Sequence, residues 1–392
     1  MAMAALVVAL VVWLVLPAGM KSARLGDYEP QVRNLMAGRG FVAESGEVMD
    51  RYPPLYPLIL WGLLRVSDAT GVSEKTLYGV FAAGCVAATA WLVWSIAGLL
   101  GAGGGAWAAA AAFCLHPFVL FGLALPLSET PFALALAGAV WLALKGLRGN
   151  SWRAVWLSAA AGALCGVACL LRPFGVFAPF VLAVAVTGSR WKEWNGVRRA
   201  LPLLGAFFLI VSPWEVFVWA KTGKWVVLST GGPATLRDGL SFNHKAMRSR
   251  LRLPAGVEWM SDEAWLRYRE LDTAEVYLSF VAERFVERPW AVAQTYAFKA
   301  ARAWYGTDSQ NARLEVFNAG VSAVFLTGAG MGIWRFRKRR GGLGMEGWTL
   351  VGLALGAWAM TTVVLSIARY MMPMAAVLAP FYGFLWGGGG QQ

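Results

Sequence analysis

The stretch Thr76–Leu100, TLYGVFAAGCVAATAWLVWSIAGLL, contains no charged residue. It is long enough to cross the hydrocarbon core of a bilayer, which takes roughly 20 mostly apolar residues. The pattern continues outward from it: between Lys75 and Lys145 the only charged side chain is Glu129. Over all 392 residues, 58% are apolar and 15% are charged. A soluble domain carries about 25% charged residues, so a soluble chain is excluded. The apolar content excludes a disordered one. Four Cys in this length exclude a disulfide scaffold. The composition is that of an all-α polytopic membrane protein.

Further spans are expected at Met3–Gly19, Ala106–Leu125, Leu127–Leu144, Val155–Leu171, Phe174–Val186, Ala200–Trp219, Leu314–Trp334, Trp348–Ile367 and Met371–Trp386, about ten in all. Tyr56–Val66 is apolar but short and lies between Pro-rich and charged flanks, which suits an interfacial or re-entrant helix better than a span. The chain reads as a single integral membrane domain, residues 1–392. It has two extended extracytoplasmic loops, residues 19–75 and residues 220–313.

The net charge of +13 would suggest nucleic acid in a soluble protein. Here it reports orientation. Three short loops hold Lys145, Arg148 and Arg153; Arg190, Lys192, Arg198 and Arg199; and Arg335, Arg337, Lys338, Arg339 and Arg340. Span counting puts all three on one side, the cytoplasm by the positive-inside rule. The first span conflicts locally, because Lys21 and Arg24 follow it and no positive side chain precedes it. A cleaved signal peptide fits poorly there, since a basic n-region is missing.

The polar residues gather at the outer side. Asp27 and Glu29 stand just beyond the first span. They are either a general base for a hydroxyl acceptor or solvated charges balancing Arg24 and Arg33. Arg51-Tyr52-Pro53-Pro54-Leu55-Tyr56-Pro57 enters the next segment extended, because proline removes donors and restricts its predecessor. Arg51 can bind phosphate or snorkel to headgroups. Ser128-Glu129-Thr130 starts a span, and a carboxylate at that depth usually has a partner or a task. Arg172-Pro173 and Arg369-Tyr370 mark two more outer ends. Both arginines suit either a lipid-linked phosphate or interfacial anchoring.

In the second loop a helix is expected over Asp262–Glu287, capped by Ser261. Its apolar face would be Leu271, Ala274, Leu278, Val281 and Phe285. Pro289 would end it, with a second helix over Trp290–Trp304. Trp259, Trp265, Trp290, Trp304 and Tyr305 fit a headgroup interface or sugar stacking. Only His116 and His244 are present, and the four Cys lie in apolar spans as packing residues. No tightly bound cofactor is expected.

Taken in order, these motifs resemble the GT-C glycosyltransferases. The branch is the one related to protein O-mannosyltransferases and lipid A aminoarabinose transferases. The resemblance rests on the carboxylate after span one, Asn34-Leu35 with Gly38-Arg39-Gly40-Phe41, and Arg51 through Pro57. It continues through Ser128-Glu129, Arg172-Pro173, Pro213-Trp214 with Gly223, Glu287-Arg288-Pro289 followed by Trp304, and Arg369-Tyr370 ahead of Pro373, so it covers most of the chain. It implies sugar transfer from a polyprenyl-phosphate donor to an extracytoplasmic acceptor in envelope polysaccharide, lipid or protein glycosylation at the inner membrane. The partners would be donor, acceptor and membrane lipid, with no nucleic acid.

The resemblance gives Asp27 the role of base. Asp27 lies closer to the Asn-Leu pair than the family's acidic residue commonly does, so Glu29 is a substitute. Glu129 would orient a substrate, Arg172 and Arg369 would grip the lipid phosphate, and Arg51, Tyr56 and Tyr370 would line the substrate site. Some members use a divalent metal and others do not, which leaves metal dependence open. The competing classes are a transporter or flippase, which should break its helices at mid-membrane, and a non-catalytic partner in polysaccharide export.

Overall fold

The computed structural model describes residues 25–148, 152–188, 194–242, 253–307 and 311–386, with Leu10 and Leu14. Apart from those two leucines, the expected first span Met3–Gly19 lies outside the described residues, as do Lys21, Arg24, Arg190, Lys192 and His244. The described residues form helices and no strand, with one isolated antiparallel bridge between Val42 and Val48.

The chain divides into two compact units. The first runs to Ser229 and adds Thr327–Ala354 and the chain from Met372; the second is Thr230–Leu326 with Leu355–Met371. In the first unit, α1 (Glu29–Met36) follows a 3-10 turn, Gly26–Tyr28. After it come α2 (Leu55–Thr70), α3 (Glu74–Leu100), α4 (Ala106–Cys114), α5 (Pro117–Ala124) and α6 (Glu129–Leu147). Then come α7 (Trp152–Leu171), α8 (Ala178–Thr187) and α9 (Trp194–Thr222). The second unit contains α10 (Gly231–Ser241), α11 (Ala255–Leu266), α12 (Ala274–Glu287) and α13 (Pro289–Arg302). The chain closes with α14 (Ala312–Arg340), α15 (Gly344–Val363) and α16 (Ala368–Leu378).

Among the described residues, five helices are long and apolar enough to cross a membrane: α3, α6, α7, Gly196–Thr222 within α9, and α14. The expected span Ala106–Leu125 is instead two helices, α4 and α5, bent by 54°. Pro117 is the cause. It lacks an N–H and drives His116 to an extended conformation, φ −67° and ψ 122°. Counted as one broken span, the pair raises the number to six. The expected Phe174–Val186 falls in a short apolar helix, Pro173–Thr187. Met371–Trp386 is interrupted by a 3-10 turn at Ala379–Tyr382. The chain is a multi-pass membrane protein, and ten spans is a proposed total.

Without a hydrophobic drive between spans, helices in lipid pack through small residues. Gly162 and Gly166, one turn apart on α7, face α9. A Cβ added at Gly162 would lie 1.8 Å from the Leu203 carbonyl oxygen, and one at Gly166 would lie 2.7 Å from Ile210 Cβ. The two backbones are therefore in contact, which fixes the pair α7–α9. α3 begins with a capping hydroxyl, Ser73 accepting from the Thr76 amide, and ends at Gly101 in the left-handed region.

In the second unit the expected helix Asp262–Glu287 is two helices. The chain leaves the helix after Leu266 and restarts at Ala274, where Thr273 caps by accepting from the Val276 amide. Ser261 is not a cap. It is buried inside α11, and its hydroxyl donates to the Ser241 carbonyl at 3.0 Å. The break resets the helical phase, so Tyr277 and Phe280 fill the core with Leu240, Met260 and Leu271, while Leu278 and Phe285 are exposed. Pro289 does separate two helices, opening α13 at its first position.

Lys299 on α13 is fully buried. Burial, helped by neighbouring Arg302, pushes its ammonium down to about 7. Between about pH 7 and pH 10 the unfolded chain then binds a proton that the folded chain does not, so stability rises with pH across that window. The thermal unfolding midpoint is expected to climb from pH 7 to pH 9, and Lys299→Met should flatten that climb.

Candidate functional site

The first outer loop is folded by its own polar side chains. Gln31 Nε2 donates to the Met49 carbonyl at 2.6 Å and to the Tyr52 carbonyl at 3.1 Å. Asn34 donates to the Val42 carbonyl and accepts from Arg39 Nε at 2.7 Å. Gly38 and Gly40 take φ of +74° and +69°, a region that L side chains rarely enter. The motif Asn34 to Phe41 therefore shapes this loop, with Phe41 packed edge-on against Trp214 at 5.3 Å.

That loop delivers Tyr28 to the centre of a polar cluster. The Tyr28 ring lies 4.9 Å from Tyr52 and 4.8 Å from Tyr56. Its hydroxyl is 2.9 Å from Ser128 Oγ, which also accepts from Arg172 Nη1 at 2.9 Å. Arg172 pairs with Glu129 at 2.8 Å, and their side chains are only 14% and 2% exposed. The start of α6 and the end of α7 are thus joined by a buried ion pair, and Ser128 links that pair to the first loop.

Asp27 is exposed, and its carboxylate is near enough to the Tyr52 phenol to act on it electrostatically. Burial, followed by the Asp27 carboxylate, pushes the Tyr52 phenol up to about 12, so it stays a donor. Burial likewise raises Tyr56, with Tyr28 and Glu129 adding to it. Glu29 sits at the start of α1, and Arg33 Nε donates to its carboxylate at 2.8 Å. Arg51 is exposed, with its guanidinium 5.6 Å from the Tyr52 ring centre and its carbonyl accepting from Ser229 Oγ at 2.7 Å. Among the described residues, no group of three or more His, Cys, Asp or Glu side chains is arranged to hold a metal ion.

An apolar cavity of about 470 Å³ opens beside this cluster, within the range of ligand sites. Leu55, Pro131 and Leu171 are among its lining residues, each within two residues of Tyr56, Glu129 or Arg172. It follows α6 from Pro131 to Leu142, roughly 16 Å at the helical rise. Lining atoms are almost wholly apolar, including Phe81, Leu164 and Trp141.

Of the residues singled out in the sequence, Tyr56, Glu129 and Arg172 meet in one cluster, with Asp27 at its edge near Tyr52. Glu29 is engaged by Arg33. Arg369 and Tyr370 belong to the second unit, where the Arg369 guanidinium is 5.6 Å from the Tyr370 ring centre. Sequence reasoning missed Tyr28 and Tyr52 as site members. The available signal was that three of the ten tyrosines fall between residues 28 and 56.

Removing one partner of a buried ion pair strands the other charge, at about 3–5 kcal/mol, whereas replacing both is far milder. Glu129→Ala is therefore expected to lower the unfolding midpoint sharply. The double variant with Arg172→Met should lose less than the two single losses combined, as read by a double-mutant cycle.

Residues 51–219 match the family model described as dolichyl-phosphate-mannose-protein mannosyltransferase. No curated protein matches the chain. Among solved structures, the archaeal oligosaccharyltransferase AglB from Archaeoglobus fulgidus, in complex with an inhibitory peptide and a dolichol-phosphate, aligns over 98% of this chain and 50% of its own at TM-score 0.56 and 16% identity. ArnT from Cupriavidus metallidurans bound to undecaprenyl phosphate aligns over 98% of this chain and 77% of its own, at TM-score 0.42 and 16% identity. The chain spans about half the length of the oligosaccharyltransferase. In fold the chain is similar to this oligosaccharyltransferase, and over residues 51–219 it matches the dolichyl-phosphate-mannose-protein mannosyltransferase model.

Proposed function

We propose that this chain is a membrane glycosyltransferase that moves a sugar from a polyprenyl-phosphate donor to a hydroxyl of an extracytoplasmic glycan, lipid or protein. The observation that carries this reading is the junction of a polar cluster with an apolar groove. The groove suits a prenyl tail, and the cluster stands where that tail's headgroup would emerge. The mannosyltransferase match over residues 51–219 spans Arg51, Tyr56, Glu129 and Arg172, and the similar oligosaccharyltransferase was solved with a dolichol-phosphate.

The acceptor oxygen would attack the anomeric carbon as the bond from that carbon to the phosphate oxygen breaks. Asp27 takes the acceptor proton, and polyprenyl phosphate leaves with the electron pair. Asp27 suits the base because it is exposed to an incoming hydroxyl and stands beside the Tyr52 phenol at the edge of the cluster. Glu29 suits it less, since Arg33 occupies its carboxylate. Cations facing the departing phosphate stabilise its charge. Arg51 fits that task, and we assign Arg369 the donor-phosphate role that the resemblance implies for it. Arg172 is balanced by Glu129, so it acts better by fixing the cluster's shape than as a phosphate grip. The Lys/Arg-rich short loops support a site on the outer face of the inner membrane.

Purified protein in lipid, given a panel of polyprenyl-phosphate sugars and acceptors, tests this reading. Asp27→Asn should lower transfer by about 10²–10⁴-fold with donor binding retained, and Glu29→Gln should stay near wild type. Normal transfer by folded Asp27→Asn would remove Asp27 as the base. Filling the groove with Leu134→Trp should raise KM for long-chain donors more than for short-chain ones; equal KM values would argue against the groove as the tail site.

A further inference from the structure

The second unit carries a feature that the proposed chemistry does not use. Between α15 and α16 the chain leaves the helix over Val364–Ile367, immediately before Arg369 and Tyr370. A break of this kind strands backbone carbonyls. Here they are met by two buried cations on α13. Lys299 Nζ donates to the carbonyls of Val363 at 2.8 Å and Val364 at 3.2 Å. Arg302 Nη1 donates to the Ser366 carbonyl at 2.9 Å.

The cations are themselves fixed. Arg302 Nη2 donates to Glu315 at 2.6 Å and to the Thr307 carbonyl at 3.0 Å. Glu315 also accepts from the Thr307 amide at 2.9 Å. Two close glycines complete the fit: an added Cβ would lie 1.7 Å from the Val364 oxygen at Gly239 and 2.5 Å from the Ser366 oxygen at Gly306. The Gly306 carbonyl then accepts from the Ala368 amide at 2.8 Å, where α16 begins.

We propose that Lys299 and Arg302 are positioning residues: they clasp the Val363–Ser366 break and thereby set the direction in which Arg369 and Tyr370 are presented to the donor phosphate. This rests on the donor-phosphate role given to Arg369 above. The two acceptors of Lys299 match the two N–H donors of a neutral amine, so the clasp survives loss of the Lys299 proton, consistent with its lowered pKa. Buried residues with no access to substrate would otherwise be apolar, since a fully buried Lys is rare unless paired.

The experiment uses the full chain in lipid and compares wild type, Lys299→Met, Lys299→Gln and Arg369→Ala. The first readout is amide hydrogen exchange of peptides covering 363–371, with α12 as the internal control. Loss of two hydrogen bonds should speed exchange there by about tenfold or more in Lys299→Met, less in Lys299→Gln, and leave α12 unchanged. Unchanged exchange at 363–371 overturns the clasp whatever the donor binding shows.

The second readout is binding of a polyprenyl-phosphate probe together with kinetics. Lys299→Met should raise the donor KM by about tenfold with kcat and the acceptor KM within about twofold, in the same direction as Arg369→Ala. Faster exchange with wild-type donor KM, while Arg369→Ala binds weakly, overturns the positioning role and leaves a purely structural one. Unchanged donor binding in Arg369→Ala overturns the phosphate role on which the proposal rests, independently of the exchange result.

Discussion

The Glu129–Arg172 pair is the interaction on which the first unit's polar end depends. A carboxylate at the start of an apolar helix is costly to bury alone. Arg172, at the end of the neighbouring helix, removes that cost at 2.8 Å. Because Ser128 touches both Arg172 and Tyr28, the pair also fixes where the first loop lies. Tyr28 then orders Tyr52 and Tyr56, and Tyr52 stands near Asp27. One buried ion pair thus reaches the tyrosines that neighbour an exposed carboxylate through a series of short contacts. Substituting it by apolar residues could preserve stability, yet it would remove the link to the loop.

The second unit solves a related problem with the opposite sign. There the costly groups are backbone carbonyls at a helix break, and buried cations meet them. Arg302 and Glu315 are 3% and 5% exposed, and Lys299 is fully buried. Both units use a few deeply buried charged residues where the chain departs from regular helix inside an apolar surround. Backbone groups in such surroundings must find partners within the protein.

Much of this was legible in the sequence. The charge-free run from Thr76 to Leu100 gives a helix that ends at the same Leu100. Glu129 and Arg172 could be picked out because a charge at the end of an apolar run needs a reason. Their pairing could not, since forty-three positions separate them and only the packing of α6 on α7 brings them together. The bend at His116–Pro117 was written in the proline, but the continuous apolar run concealed it. The helix expected over Asp262–Glu287 failed at Arg267–Thr273, where a helical spacing of apolar residues continued across a real break. The sequence pattern singles out neither Lys299 nor Arg302; their burial depends on a segment more than sixty residues away, which local pattern does not reveal.

The most direct measurement is the fate of a polyprenyl-phosphate sugar, labelled in both sugar and lipid, supplied with an acceptor to the purified protein in sealed vesicles. A glycosyltransferase releases one polyprenyl phosphate for each sugar that appears on the acceptor, and the two labels part. If the intact labelled donor instead crosses the bilayer with both labels together and no polyprenyl phosphate is released, the protein moves lipid-linked sugars without transferring them, and the proposed catalysis is contradicted.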